Sequence, residues 1–217
     1  MTVKFDQYWA TIQQKNKEYK KFIINEFIPA INRLGIHTVA GWSVLVGGYS
    51  EIIFEGVSSD LELVEKALKN PKYKELNENL LNYVKDYKTK VLVQTGRKDT
   101  YSQDIKENTV KFSQMWNIMS GKKSDYHQFV IEEFYPTLED LGIKVAGEWE
   151  VLIGEGPHII CEGRVQDLNN LLINLQSEKF RKAKRKLRRF VEDYQSRFLS
   201  FHIQKKKGYK AASYEMI

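Results

Sequence analysis

The residues best placed to do chemistry in this chain come in pairs 107 positions apart: Gln7 and Gln114, Trp9 and Trp116, Glu55 and Glu162. Gln7 and Trp9 lie two residues apart, so on a strand they share one face. Glu55 shares its own strand face with Ile53, while Ile52 and Phe54 point the other way. A carboxylate on an apolar interior face must find a partner or raise its pKa. Such a group anchors a ligand or accepts a proton. The six residues are therefore expected to point into one largely apolar interior and to bind a small ligand there. The competing expectation is structural: the tryptophans fill core, and the glutamates close a strand at its water-exposed end.

Other chemistry finds less support. The histidines are His37, His127, His158 and His202, and none is four residues from another. A zinc site needs three or four converging ligands, so no metal is expected. No cofactor is expected either. Haem asks for only one axial histidine, with His158 or His202 the positions to consider, against the simpler account of ordinary surface or turn residues. The lone Cys161 takes the place of Phe54 in a strand and reads as packing. Gly154-Glu155-Gly156 precedes a strand, so it is a hairpin turn and not a phosphate loop.

The formal net charge is +6. Lys179, Arg181, Lys182, Lys184, Arg185, Lys186, Arg188 and Arg189 crowd one predicted helix without an acid among them, and Lys205, Lys206, Lys207 and Lys210 follow in the tail. The corresponding stretch of the first half balances Lys72 and Lys74 against Glu75 and Glu78. This helix is either a footprint for nucleic acid or another polyanion, centred on Lys179, Arg181, Lys182, Arg185, Arg188 and Arg189, or a solvated outer face. The buried stripe would then be Phe180, Ala183, Leu187 and Val191. The spacing favours the solvated face.

These residues are carried by a duplication. Aligning residues 3–92 with 110–199 gives 32 identities in 90 positions without a gap. Trp42 answers Trp149, Pro29 answers Pro136, and IIFEG answers IICEG. The 217-residue chain thus divides into a module at 1–94, a linker at 95–109, a second module at 110–204 and a basic tail at 205–217. Within each module the periodicity predicts a strand at 5–12 and a helix at 14–34 that Pro29 kinks or restarts. A hairpin follows at 39–57, turning at Gly47-Gly48, and then a helix capped by Asp60 that restarts at Pro71. A strand at 86–94 closes the module. The order βαββαβ is ferredoxin-like, and one such sheet leaves a face uncovered. The expected fold is α+β: two tandem ferredoxin-like modules with sheets face to face, a pseudo-twofold fused α+β barrel.

The motif Phe27-Ile28-Pro29 through Leu34-Gly35, with Gly41-Trp42 and Pro71-Lys72-Tyr73, resembles NIPSNAP-like proteins of the dimeric α+β barrel superfamily. The second half departs by carrying Glu178 at the proline position and Glu148 before its tryptophan. The superfamily includes cofactor-free monooxygenases, haem enzymes built from fused modules, and proteins without an assigned activity. The resemblance implies small-molecule binding, or an oxygenase-like enzyme that needs no cofactor. The rival class is an interaction module acting through the basic helix. With one cysteine and no apolar run long enough to span a bilayer, the chain is expected to be cytoplasmic, without a membrane partner. It is expected as a monomer with an internal pseudo-dimer or as a homo-oligomer.

Overall fold

The computed structural model describes residues 2–47, 51–98, 101–206 and 213–217. Gly48 of the expected hairpin turn, and Lys207 and Lys210 of the tail, lie outside them. The fold is α+β. The chain forms two compact units, the first consisting of Met1–Val44, Gly48–Val93 and Phe201–Ile217, the second of Leu45–Gly47 and Gln94–Ser200.

The first unit runs β1 (Val3–Thr11), α1 (Asn16–Phe22), a π-helical turn (Ile23–Phe27), α2 (Ile28–Arg33), β2 (His37–Val46), β3 (Ile52–Ser58), α3 (Leu61–Lys69), α4 (Pro71–Leu81) and β4 (Val84–Gln94). The strands pair in the order β2-β3-β1-β4, and β1 is antiparallel to both of its neighbours. Pro29 restarts the helix as expected. It has no N–H to give to the preceding turn, and the wider π-helical turn sits directly before it. The Asp60 carboxylate accepts from Leu63 N at 2.9 Å, and Asn70 caps the proline-led α4 by accepting from Lys72 N. Helices and sheet enclose a core that includes Trp9, Tyr19, Phe27, Phe54 and Leu80.

The second unit repeats the plan with β5 (Val110–Ile118), α5 (Lys123–Phe129), a π-helical turn (Val130–Phe134), α6 (Tyr135–Asp140), β6 (Lys144–Ile153), β7 (Ile159–Val165), α7 (Leu168–Gln176), α8 (Glu178–Leu187) and β8 (Val191–Lys205). Its strands pair in the order β6-β7-β5-β8. Even its irregularities recur. The register of β1 against β4 shifts between Tyr8 and Ala10, and that of β5 against β8 between Met115 and Asn117. The extra residue falls on β4 and on β8, where Asp86 and Asp193 adopt φ of 56° and 53°, a left-handed conformation that aspartate tolerates better than most side chains.

Two expectations need correction. The basic helix ends at Leu187, so Val191 opens β8 and does not belong to the helix stripe. The tail continues β8 to Lys205, and β9 (Tyr214–Met216) pairs back on it, with Ile203 opposite Met216. Among the described residues no helix is long and apolar enough to cross a membrane.

Candidate functional site

The six duplicated residues do not share a face. Gln7 stands opposite Phe54 and Trp9 opposite Ile52, whereas Glu55 pairs with Asp6 on the other side of the sheet. Trp9 points toward the helices, where its Nε1 donates to Tyr19 Oη at 3.0 Å and its ring packs on Phe27 and Phe54. Gln7 Oε1 accepts from Tyr87 Oη at 2.8 Å. The second unit repeats both contacts: Trp116 donates to Tyr126, and Tyr194 to Gln114. Register causes the split, because strand parity alone does not say which residue of β1 lies beside which residue of β3.

Glu55 and Glu162 face away from the helices, and each is held. The Glu55 carboxylate accepts from Lys4 Nζ and from Trp42 Nε1, both at 2.8 Å, with both side chains of the ion pair almost fully buried. Glu162 repeats this with Lys111 at 3.0 Å and Trp149 at 3.2 Å. The lysines and tryptophans are themselves duplicated, which was the sequence signal for this partnership. A buried ion pair offsets its desolvation only when its remaining lone pairs are bonded as well, and here the indole N–H bonds the second carboxylate oxygen.

A different carboxylate, present in one copy only, gathers the richest set of polar groups. Glu148 lies on β6 opposite Cys161, hence on the helix-facing side with Gln114 and Trp116. Only 2% of it is exposed. Its Oε2 accepts from Thr95 Oγ1 at 2.6 Å and from Arg97 Nε, and its Oε1 accepts from Tyr126 Oη. A chain of hydrogen bonds therefore runs Trp116–Tyr126–Glu148–Arg97. Burial would lower the Arg97 pKa, but the adjacent carboxylate outweighs it and keeps the guanidinium charged. Burial, reinforced by Glu148, pushes the phenols of Tyr126 and Tyr135 and the thiol of Cys161 well up, so all three stay protonated. Tyr135 Oη is buried and completes no hydrogen bond of good geometry, although the Glu148 carboxylate lies near enough to help raise its pKa.

Two clefts meet at Arg97. One, of about 230 Å³, is lined by Arg97, Lys98, Ile131, Tyr135, Pro136 and Glu139. The other, of about 340 Å³, runs past Arg97, Asn117, Glu150 and His158. In the first unit the same positions hold Gly41 for Glu148, Ile28 for Tyr135 and Phe54 for Cys161. A Cβ on Gly41 would lie 2.9 Å from the Ile203 side chain, so an apolar group fills the space there. The signal for this site was a departure from the repeat, Glu148 before its tryptophan, and not a retention. Thr95 and Arg97 gave no signal, because they sit in what reads as a linker.

The remaining candidates are placed as follows. On α8, Lys179 pairs with Asp140, Arg185 with Glu178 and Lys186 with Glu133. Lys184 and Arg188 lie over the Tyr194 ring. Arg181, Lys182 and Arg189 are exposed. His158 Nδ1 bonds to Asn117 Oδ1 at 2.9 Å. His202 stacks on Tyr19, and burial pulls its pKa down to about 4. Among the described residues no three of His, Cys, Asp and Glu are grouped to hold a metal.

No family model and no curated protein matches the sequence. Solved structures do match. A provisionally assigned monooxygenase from Fusobacterium nucleatum covers 92% of this chain and 92% of its own, at 10% identity and a TM-score of 0.65. An anthrone oxidase-like protein covers 92% and 91%, at 11% identity and a TM-score of 0.59. NIPSNAP domain proteins are also among the matches, one from Burkholderia xenovorans covering 46% of this chain and 100% of its own at 15% identity and a TM-score of 0.37. The first two likenesses establish a shared fold of the dimeric α+β barrel class.

Proposed function

We propose that the chain binds a small organic molecule in the second unit, against Tyr135, Arg97 and Glu148. The observation that carries this is Tyr135 Oη, a buried phenol that completes no hydrogen bond of good geometry even with Glu148 near, in the wall of a cleft that Arg97 and Lys98 also line. A buried hydroxyl left unbonded is unfavourable by about 1–3 kcal/mol, and a ligand oxygen in the cleft would relieve it. Arg97 supplies a charged donor for an acidic or phenolic group. Trp116, one of the six residues first expected to bind ligand, supports the site through Tyr126.

As an enzyme the chain would be oxygenase-like, a reading to which the fold shared with a provisionally assigned monooxygenase lends support. Glu148 would take a proton from an activated ligand, leaving a carbanion or phenolate whose electrons dioxygen can accept. The polyanion reading keeps one observation in its favour, the exposed Arg181, Lys182 and Arg189 on and just beyond α8.

Native mass spectrometry of the purified protein tests the binding. A low-mass adduct that disappears in a Glu148→Gln variant is expected. Bare protein, with no thermal shift and no change in tryptophan fluorescence across a panel of phenols and aromatic acids, would overturn the proposal.

A further inference from the structure

The segment between the modules lines a third cleft, of about 360 Å³, on the second unit. Four cations converge on it: Lys98 and Lys106 from the segment, Lys144 from the start of β6 and Arg164 from β7. Only two carboxylates, Asp104 and Glu139, share the lining, and Glu139 is already paired with Lys98 at 2.7 Å. Neither Lys106 nor Lys144 has a carboxylate within ion-pairing distance among the described residues. The segment is anchored, since Tyr101 and Ile105 are buried.

Arg164 is pre-set to receive an anion. Its Nη2 donates to the Ser102 carbonyl at 2.7 Å, and its guanidinium lies 5.1 Å from the Tyr101 ring centre. These contacts fix the plane of the fork. Its Nε is shielded from solvent and has no hydrogen-bond partner. A planar fork with a spare donor matches an oxyanion, and two flanking ammonium groups set the charge at about two. In the first module the positions of Lys144 and Arg164 hold His37 and Val57, so the feature belongs to the second copy alone.

We propose that this cleft binds a small doubly charged oxyanion, a phosphate ester or a dicarboxylate, on Arg164, Lys106 and Lys144. The cleft adjoins the one at Tyr135, with Lys98 and Glu139 in the lining of both, but the proposal uses Arg164, Lys106 and Lys144 and stands without that site. Nitrogen-15 NMR of the full chain, titrated with inorganic phosphate and separately with malonate at constant ionic strength, tests it. The expected result is saturable shifts at Ser102, Lys106 and Arg164 with at least one anion, weakened tenfold or more in Arg164→Gln and in Lys144→Gln. Lys144 is exposed, so its variant checks binding without disturbing packing. The tighter of the two anions identifies the ligand class. Shifts that never saturate, that are unchanged in both variants, or that centre on α8 would overturn the proposal.

Discussion

Arg97 reaches from beyond the end of β4 to pair with Glu148 on β6, 51 residues later in the chain, with 6% and 0% of the two side chains exposed. The pair joins a segment without regular structure to a strand. Arg97→Leu would leave a buried carboxylate whose Thr95 and Tyr126 bonds cannot neutralise it. We expect a loss of about 3 kcal/mol in urea unfolding. The Arg97→Leu, Glu148→Leu double variant should lose less than the single one. Equal or greater loss in the double variant would show that the pair's charge is not what matters.

Tyr135→Phe separates binding from stability. Removing a phenolic hydroxyl that completes no hydrogen bond of good geometry should leave the urea midpoint unchanged or raise it slightly. The same change should weaken small-molecule binding about tenfold, the loss of one hydrogen bond to a ligand of roughly 1.4 kcal/mol. A destabilised Tyr135→Phe protein would mean that the hydroxyl already has a partner.

Lys4 and Glu55 make a second buried pair. Lys4→Met is expected to destabilise by about 3 kcal/mol, and adding Glu55→Leu should recover most of that. The same experiment on Lys111 and Glu162 should give the same pattern, and a sum of independent effects in either unit would contradict it.

Gly56 and Gly163 occupy the same place in their modules. A Cβ there would meet the branch methyl of Ile36 at 2.6 Å and of Ile143 at 2.4 Å. Gly163→Ala should therefore cost about 2 kcal/mol. In an Ile143→Ala background the penalty should shrink by half or more, which a double-mutant cycle reads directly.

His202 predicts a pH dependence. Its pKa falls from the ordinary 6.5 to about 4 because it is buried, with Lys20 adding to the effect. The unfolded chain therefore binds this proton more readily than the folded one. The stabilisation is complete above pH 6.5 and is lost as pH falls toward 4. Between pH 7 and pH 5 the wild type should lose about 2 kcal/mol more than a His202→Phe variant. Parallel stability profiles would show that the imidazole is solvated.

The sequence by itself determined the duplication, the order of elements, the cap at Asp60 and the helix restarts at Pro29 and Pro71. Each depends on residues within a few positions of one another, and an ungapped repeat preserves their lengths. It also determined that Glu55 points opposite to Phe54. Only the tertiary structure decided that Trp9 shares the Phe54 face, because that follows from the register of β1 against β3. It alone decided the fate of the charges on α8, since Asp140 and Glu133, which pair with Lys179 and Lys186, come from the α5–α6 segment. It alone made Glu148 a site. A lone glutamate before a tryptophan carries no local pattern, and its partners Thr95, Arg97 and Tyr126 reach it from about 20 to 50 residues away by pairing and packing that no short-range periodicity encodes.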